Sequence, residues 1–493
     1  MAVIDLRRRV LTDALPDPAK AYVLYWMTAY RRTTHNHALD RALELCRETG
    51  KPLLVLEGLR AGYRWASDRM HRFAIDGMRD DAAAFAAAGV AYHAYLEPEP
   101  GHGKGLLEAL AADAVAVVTD DYPAFFLPRM LEAAADRLED AHVAFEAIDG
   151  NGLYPIRDTD RVFTMAHSFR RHLQKRLPRH LDGAPVAEPL AGYAYGRATL
   201  PSAVAQRWPA ADLERIDLGA FPIDHSVSEA DERGGSRAAS ARLGQWLERR
   251  FSRYGDDRNH PDDTAASGLS AHLHWGHLSP WAVFEAIVER EGWSPDQIAD
   301  KPHGKRAGWW NMGPAAEAFL DELVTWREIG FNMAALAPRF TEYESLPDWA
   351  RKTLADHEGD ERPYLYTPAQ LEGAETHDEI WNAAQRELVQ TGRMHNYLRM
   401  LWGKKILHWT RSPREALEMM VHLNNKYALD GRDPNSYSGI FWVLGRYDRA
   451  WGPERPVFGK IRYMTSASTR RKLRLTNYLA TYGEGGQKAL ALG

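Results

Sequence analysis

Cysteine is almost missing from this chain. Of 493 residues only Cys46 carries a thiol, which excludes a disulfide framework, a thiolate zinc site and a cysteine-ligated iron–sulfur cluster. Long apolar runs are missing too, and nothing approaches the ~18 consecutive apolar residues of a membrane-spanning helix. Met1 to Arg9 contains no apolar core followed by a small-residue cleavage site, so no secretory signal is expected and the composition reads as cytoplasmic, with no membrane partner. Charge of one sign is not in excess. A net charge of −5 does not steer the whole body to nucleic acid and leaves room only for a local basic groove. The motifs of common chemistries fail as well. Lys104 lies among Gly101, Gly103 and Gly105, but without the spacing or the following Ser or Thr of a phosphate loop. No G-x-G-x-x-G follows the first strand pattern. His272, His274 and His277 stand close together without an H-E-x-x-H or an acidic helix partner, so they read as packing and no metal site is expected.

Aromatic residues are plentiful: 16 Trp, 21 Tyr and 15 Phe. They serve mostly as core, but Trp is also a stacking surface and a redox-active side chain. Residues 1–150 alternate short apolar runs (21–26, 52–56, 90–96, 114–119, 143–148) with amphipathic stretches (38–48, 67–88), the pattern of βαβ units around a mainly parallel sheet. Residues 151–236 are punctuated by prolines and read as a connector with one basic helix, 169–181. From 237 to 493 the periodicity is helical almost throughout, including 315–329, 378–391, 394–409 and 413–423. The expected fold is an α/β Rossmann-like parallel-sheet domain at the N-terminus, then a connector, then a larger all-α domain.

Four stretches carry chemistry. Tyr254, Arg258, Asn259 and the run Ser267, Gly268, Leu269, Ser270 offer the small residues and helix start that suit a phosphate, and equally a capped helix start. Glu322 and Trp326 are four apart and share one helix face, placing a carboxylate beside an aromatic ring. Trp402 and Trp409, seven apart, and Trp381 on a neighbouring helix can be plain core or a chain for electron hopping. His422 to Asn435 is polar and turn-rich, with Asn424 and Asp430 able to read a ring edge.

Taken together these stretches resemble the photolyase/cryptochrome superfamily, and most closely the class II cyclobutane pyrimidine dimer photolyases. The likeness is densest in His357, Leu365 to Gln370, Thr376 to Asp378, Trp381 to Gln385, Arg399–Met400, Leu429 to Asn435 and Arg455 to Met464. Asn396 and the Trp326–Arg327–Glu328 run are closer to class I members, and the segment Gly292 to Glu317 is longer than the class II pattern requires. The resemblance implies FAD in the helical domain, with Tyr254 and Ser267, Gly268, Leu269 and Ser270 at its phosphates and Arg327 and Asn332 nearby. It implies Asp430 and Gly431 at the ribose or flavin edge, Arg399 paired with Asp430, and Asn424 facing the flavin N5. Trp402, Trp381 and Trp409 would form a photoreduction chain that ends with Trp409 at the surface. Glu322, Met400, Trp326 and Trp442 would line a lesion pocket, with Arg258, Asn259 and Asn396 toward DNA. Arg170, Arg171, Lys175 and Arg176, with Arg470, Arg471, Lys472 and Arg474, are candidate phosphate contacts. The implied activity is light-driven repair of cyclobutane pyrimidine dimers in DNA by a monomeric lyase. The alternatives are a cryptochrome-like blue-light photoreceptor and a (6-4) photoproduct photolyase. An antenna chromophore of deazaflavin or folate type belongs to the same expectation, although no motif in 1–150 identifies one.

Overall fold

The computed structural model describes residues 5–263 and 265–486. The backbone groups into two compact units. One takes the chain up to Asp160 with Lys175–Leu243 and Leu269–Gln297, and the other takes Arg161–Gln174, Gly244–Gly268 and the chain from Ile298 on. No described helix is long and apolar enough to cross a membrane.

The first unit is built on a six-stranded sheet in the order β1-β6-β5-β2-β3-β4. Its strands are β1 Arg8–Val10, β2 Tyr22–Met27, β3 Leu53–Leu59, β4 Ala91–Leu96, β5 Ala114–Asp120 and β6 Phe145–Ile148. All pairings are parallel except β1 with β6. β2 and β5 are buried along nearly their whole length, as expected for a parallel sheet covered on both faces, and this is why their sequences are unbroken apolar runs. The helices between strands are α1 His37–Thr49, α2 Asp68–Ala87, α3 Leu106–Ala111 and α4 Leu127–Asp140. Asn36 starts α1 by accepting from the Ala38 and Leu39 amides, and Ser67 starts α2. β1 has no counterpart among the apolar runs of the sequence. It is a three-residue edge strand held from outside the ladder: the buried Arg7 guanidinium donates to the carbonyls of Asp149, Gly152 and Leu153.

Strand order reverses between β2 and β5, the place where doubly wound sheets open a crevice for phosphates. Here the crevice is filled from within. Asp120 Oδ2 accepts the amides of Thr28, Ala29 and Tyr30 at 2.8, 2.7 and 2.9 Å, and its Oδ1 accepts the Tyr25 hydroxyl at 2.7 Å. The chain's own carboxylate occupies the N–H nest that a nucleotide phosphate would use. Of the histidine cluster, His277 Nδ1 accepts the Gly235 amide and His272 Nε2 meets Glu232.

The connector contributes helix α5, Ala166–Arg176, shorter than the expected 169–181 helix because Pro178 turns the chain into a 3₁₀ segment, Leu177–His180. In the second unit the expected helix over 315–329 is uninterrupted but changes type along its length. Pro314–Leu320 is α-helical, Asp321–Trp326 is π-helical, and Arg327–Leu336 returns to α. The helix Glu379–Thr391 starts at Asp378, whose carboxylate accepts the Trp381 amide, and Pro413–Tyr427 starts at Ser412. The helix Asn396–Trp409 packs on these two and on Pro434–Val443. Gly403 permits the last of these packings, since a Cβ there would lie 2.5 Å from Val443 Cγ2.

Replacing Asp120 with Ala should leave three buried amides without an acceptor and cost about 3–5 kcal/mol. Urea unfolding monitored on the full chain checks this, with Asp120→Asn expected to lose less.

Candidate functional site

The π-helical turn is fixed at its first residue. Arg170, on α5, grips Asp321 with both forks, Nε–Oδ1 2.6 Å and Nη2–Oδ2 3.0 Å, and both side chains are buried. The same guanidinium donates to Gly304 O at 3.2 Å, and Gln174 one turn on bonds the Gly304 amide and the Lys305 carbonyl. The expectation that Arg170 meets DNA phosphates is corrected by this geometry. Its charge is used inside the protein, because a buried carboxylate needs a bidentate partner.

Glu322 follows Asp321 directly, and its side chain keeps 35% of its surface open. Burial of its surroundings and the neighbouring Asp321 charge push its pKa up, while Arg258 opposes them. The place expected for Arg258, at the DNA backbone, is corrected as well. It turns inward, Nη1 lying 3.3 Å from Glu322 Oε1 and 3.1 Å from Ala318 O, with its guanidinium 5.3 Å over the Tyr254 ring. Tyr254 is buried between Trp246 and Phe319, on the side of Glu322. Asn259 and Asn396 are exposed. Trp326, Met400 and Trp442 are half-buried. Two cations flank the Trp442 ring, Lys404 Nζ at 4.8 Å and Arg462 Cζ at 5.3 Å. Lys404 is fully buried, donates to Val443 O at 2.6 Å, and is pushed down to about 7 by that burial.

A second group surrounds Asn424. The backbone amide of Arg432 donates to Asn425 Oδ1 at 2.9 Å. An N–H can only donate, so that atom is the amide oxygen. The Asn424 atom 3.1 Å from it must then be nitrogen, and this nitrogen also donates to Ser436 Oγ at 2.8 Å. Asn424 Oδ1 is left as an acceptor on a buried side chain, with no donor among the described residues. Arg399 Nη2 lies 3.0 Å from Asp430 Oδ1. Gly431 sits against the Asn424 carbonyl, where a Cβ would come within 2.9 Å. Arg327 is buried with its guanidinium 4.4 Å over Phe331. Asn332 requires a correction: its amide bonds Phe163 N and Arg161 O, both at 3.0 Å, so it clamps the connector rather than facing a ligand. The phosphate-loop candidates are divided between the units, with Ser267 and Gly268 in one and Leu269 and Ser270 in the other.

The three tryptophans are brought together, and all are buried: Trp381 at 0%, Trp402 at 2% and Trp409 at 1% exposure. Trp381 Nε1 donates to Trp402 O at 3.0 Å, and the Trp381 and Trp409 rings meet edge to face at 5.5 Å. Trp402 Nε1 donates to Gln385, whose role has no signal in the sequence beyond its place on the Trp381 helix. The surface position expected for Trp409 is corrected, since Tyr366 and His377 rings cover it at 5.3 and 5.4 Å. Arg470 and Arg474 pair with Glu379 and Asp257, whereas Arg171, Arg471 and Lys472 are exposed.

Comparison with known proteins adds to this geometry. The family model for DNA photolyase matches residues 23–190. A deoxyribodipyrimidine photo-lyase of Methanothermobacter thermautotrophicus is 33% identical over 96% of this chain and 97% of its own length. The chain belongs to the DNA photolyase family. The rice (Oryza sativa subsp. japonica) deoxyribodipyrimidine photo-lyase is 34% identical over 93% of this chain and 87% of that protein. Among solved structures, a bacterial class III photolyase from Agrobacterium tumefaciens superposes with a TM-score of 0.67 at 18% identity, covering 94% of this chain and 86% of that one. This is the family's two-part fold, an α/β sheet unit followed by a helical one.

Arg170→Met should release Asp321 into a buried, unpaired state and cost about 3–5 kcal/mol. Hydrogen exchange should rise first at the amides of 321–327, while those of Pro413–Tyr427 stay protected.

Proposed function

We propose that this chain repairs cyclobutane pyrimidine dimers in DNA, using light and FAD held in its helical unit. The observation that carries the reading is the Asn424 carbonyl, oriented by a backbone-anchored chain of bonds on a buried side chain, yet given no donor by the described residues. Such an acceptor fits a ring N–H, which a reduced flavin presents at N5. A neutral amide oxygen there would accept that N–H and would neither add a proton nor remove one. Asn424, the Arg399–Asp430 pair and Gly431 are the residues that would hold the cofactor's polar edge. When bound and reduced, FAD supplies on excitation the electron that opens the cyclobutane ring and receives it back. The full-length likeness to proteins named deoxyribodipyrimidine photo-lyase supports the substrate.

The chain's own residues do the rest. A dimer inside a duplex must be swung out to be reached, and a damaged base costs less to extrude. Trp326, Trp442 and Met400 offer flat and soft apolar surface to receive it. Glu322, kept protonated to higher pH than an ordinary carboxyl, donates to a pyrimidine carbonyl, where negative charge develops after electron uptake. Arg258 limits that rise and keeps the carboxyl aimed. The phosphate contacts fall to exposed cations: Arg171, Arg471, Lys472 and the loop residues Lys301, Lys305 and Arg306. Arg306 is close enough to Glu322 for its charge to be felt there. The protein is read as a cytoplasmic monomer.

Illumination of a dimer-containing oligonucleotide with the protein should restore intact pyrimidines, and a dark control should not. Flavin-loaded protein that restores none would overturn this reading and leave the photoreceptor and (6-4) photoproduct alternatives. With pre-reduced protein, repair should fall as pH rises through the Glu322 pKa. Arg258→Gln removes the opposing cation, so the limb should move to higher pH in a pH–rate profile. Substituting Lys301, Lys305 and Arg306 together with Gln should weaken binding to damaged and undamaged duplex alike. For each phosphate charge these cations neutralise in the parent, the slope of log affinity against log salt should become shallower by about 0.9.

A further inference from the structure

The glycine run around Lys104 fails as a phosphate loop in the sequence, yet it borders a hollow of about 810 Å³ built wholly within the α/β unit. The hollow lies at the C-terminal end of β4, the sheet's edge strand, two strands away from β2 and the reversal that Asp120 fills. Tyr95, Leu96, Ile216 and Phe221 give it an apolar, partly aromatic wall, and Lys104 and Arg207 are its exposed cations. No Asp or Glu belongs to the lining. Arg207 lies over the Trp208 ring at 4.3 Å, and neither it nor Lys104 has a carboxylate partner among the described residues.

Bonds that lie outside the hollow hold it open. Glu97, 4% exposed, accepts the Gly101 and Gly103 amides at Oε1, at 2.9 and 3.3 Å, and the Ala61 amide at Oε2, at 3.1 Å. The loop's amides are therefore spent on the chain's own carboxylate, and an anion beside them has to be met by side chains. On the opposite wall the Ala211 amide donates to Ala94 O at 2.9 Å, which fastens the connector along the free edge of β4. Trp208 Nε1 donates to the His102 carbonyl at 2.7 Å and ties the two walls together. His102 is not a free cation, since its Nε2 lies 3.6 Å from Glu99 Oε2.

We infer that this hollow binds a small molecule that joins a flat ring to an anionic group. Its volume falls in the range of clefts that take such ligands. Phe221 and Ile216 are half-buried, so part of their apolar surface is left for a ring to cover. Lys104 and Arg207 supply charge-assisted hydrogen bonds to the anion. In a chain of net charge −5, two unpaired cations beside an apolar wall with no carboxylate select an anionic ring over a neutral one. A phosphate and a carboxylate share this chemistry, as in a mononucleotide and an aromatic acid.

Calorimetric titration of the flavin-loaded full chain, freed of excess FAD, tests this with AMP, anthranilate, adenosine and inorganic phosphate. AMP should bind once per chain. Adenosine and phosphate should each bind at least about tenfold more weakly, because each carries only one part of the recognised chemistry. Anthranilate binding more tightly than AMP through the same residues would keep the site and assign its anion as a carboxylate. Lys104→Gln and Arg207→Gln should each weaken the tighter ligand about tenfold. Ile216→Trp fills the hollow, leaves both cations in place and should abolish binding. Dimer repair should stay at the parent level in all three variants, which shows that the chain is intact. Phosphate binding as tightly as AMP, no saturable binding of AMP or anthranilate in the millimolar range, or unchanged affinity in both Gln variants overturns the inference. Repair is measured separately, so its absence from the parent would count against the proposed function and leave this site standing.

Discussion

The grip of Arg170 on Asp321 is the constraint on which the helical unit's candidate chemistry depends. Two forked hydrogen bonds between buried groups tolerate little change in angle. They set the start of the π-helical turn, and that turn decides where Glu322 and Trp326 project. One extra residue in a helical turn is a local cost, found mostly where function requires a side chain to be re-aimed. Here the cost is offset by a residue some 150 positions earlier in the chain. The same guanidinium also holds Gly304, so the cationic loop and the carboxylate share one fixed reference point.

The carboxylate is tuned by opposing neighbours and not by a single partner. Asp321 raises the Glu322 pKa while Arg258 lowers it, and Asp321 is itself neutralised by Arg170. Asn424 shows the same indirect control through hydrogen bonding. Its orientation is dictated by the Arg432 backbone amide, one asparagine removed. In both places the residue that would meet a ligand is held by one that would not.

Much of this is legible in the residues. The buried strands of the sheet are plain in unbroken apolar runs, and the helix starts at Ser67, Asp378 and Ser412 follow from capping chemistry. The resemblance to photolyases rests on whole phrases of sequence, and the likeness to curated relatives runs over nearly the full chain. What escapes a linear reading is whatever depends on a distant partner. The edge strand Arg8–Val10 has no pattern of its own and is held by Arg7 reaching residues 149–153. The π turn has no signature in the local sequence, and the partner that holds its first residue lies on another helix. In the sequence Arg258 reads as a surface cation, Asn332 as a cofactor contact and Trp409 as a surface donor. Each is placed otherwise by a neighbour the linear chain does not reveal: Glu322, the 161–163 backbone and the Tyr366–His377 pair.

The carboxylate of Asp120 has a consequence for how the α/β unit responds to its surroundings. A fold that reserves its strand-reversal crevice for a metabolite is firmer when that metabolite is abundant and looser when it is scarce, by mass action. In this chain the crevice is satisfied by a tethered group that cannot diffuse away. The three amides are therefore satisfied without a diffusible ligand, and their contribution to the sheet does not vary with the concentration of one.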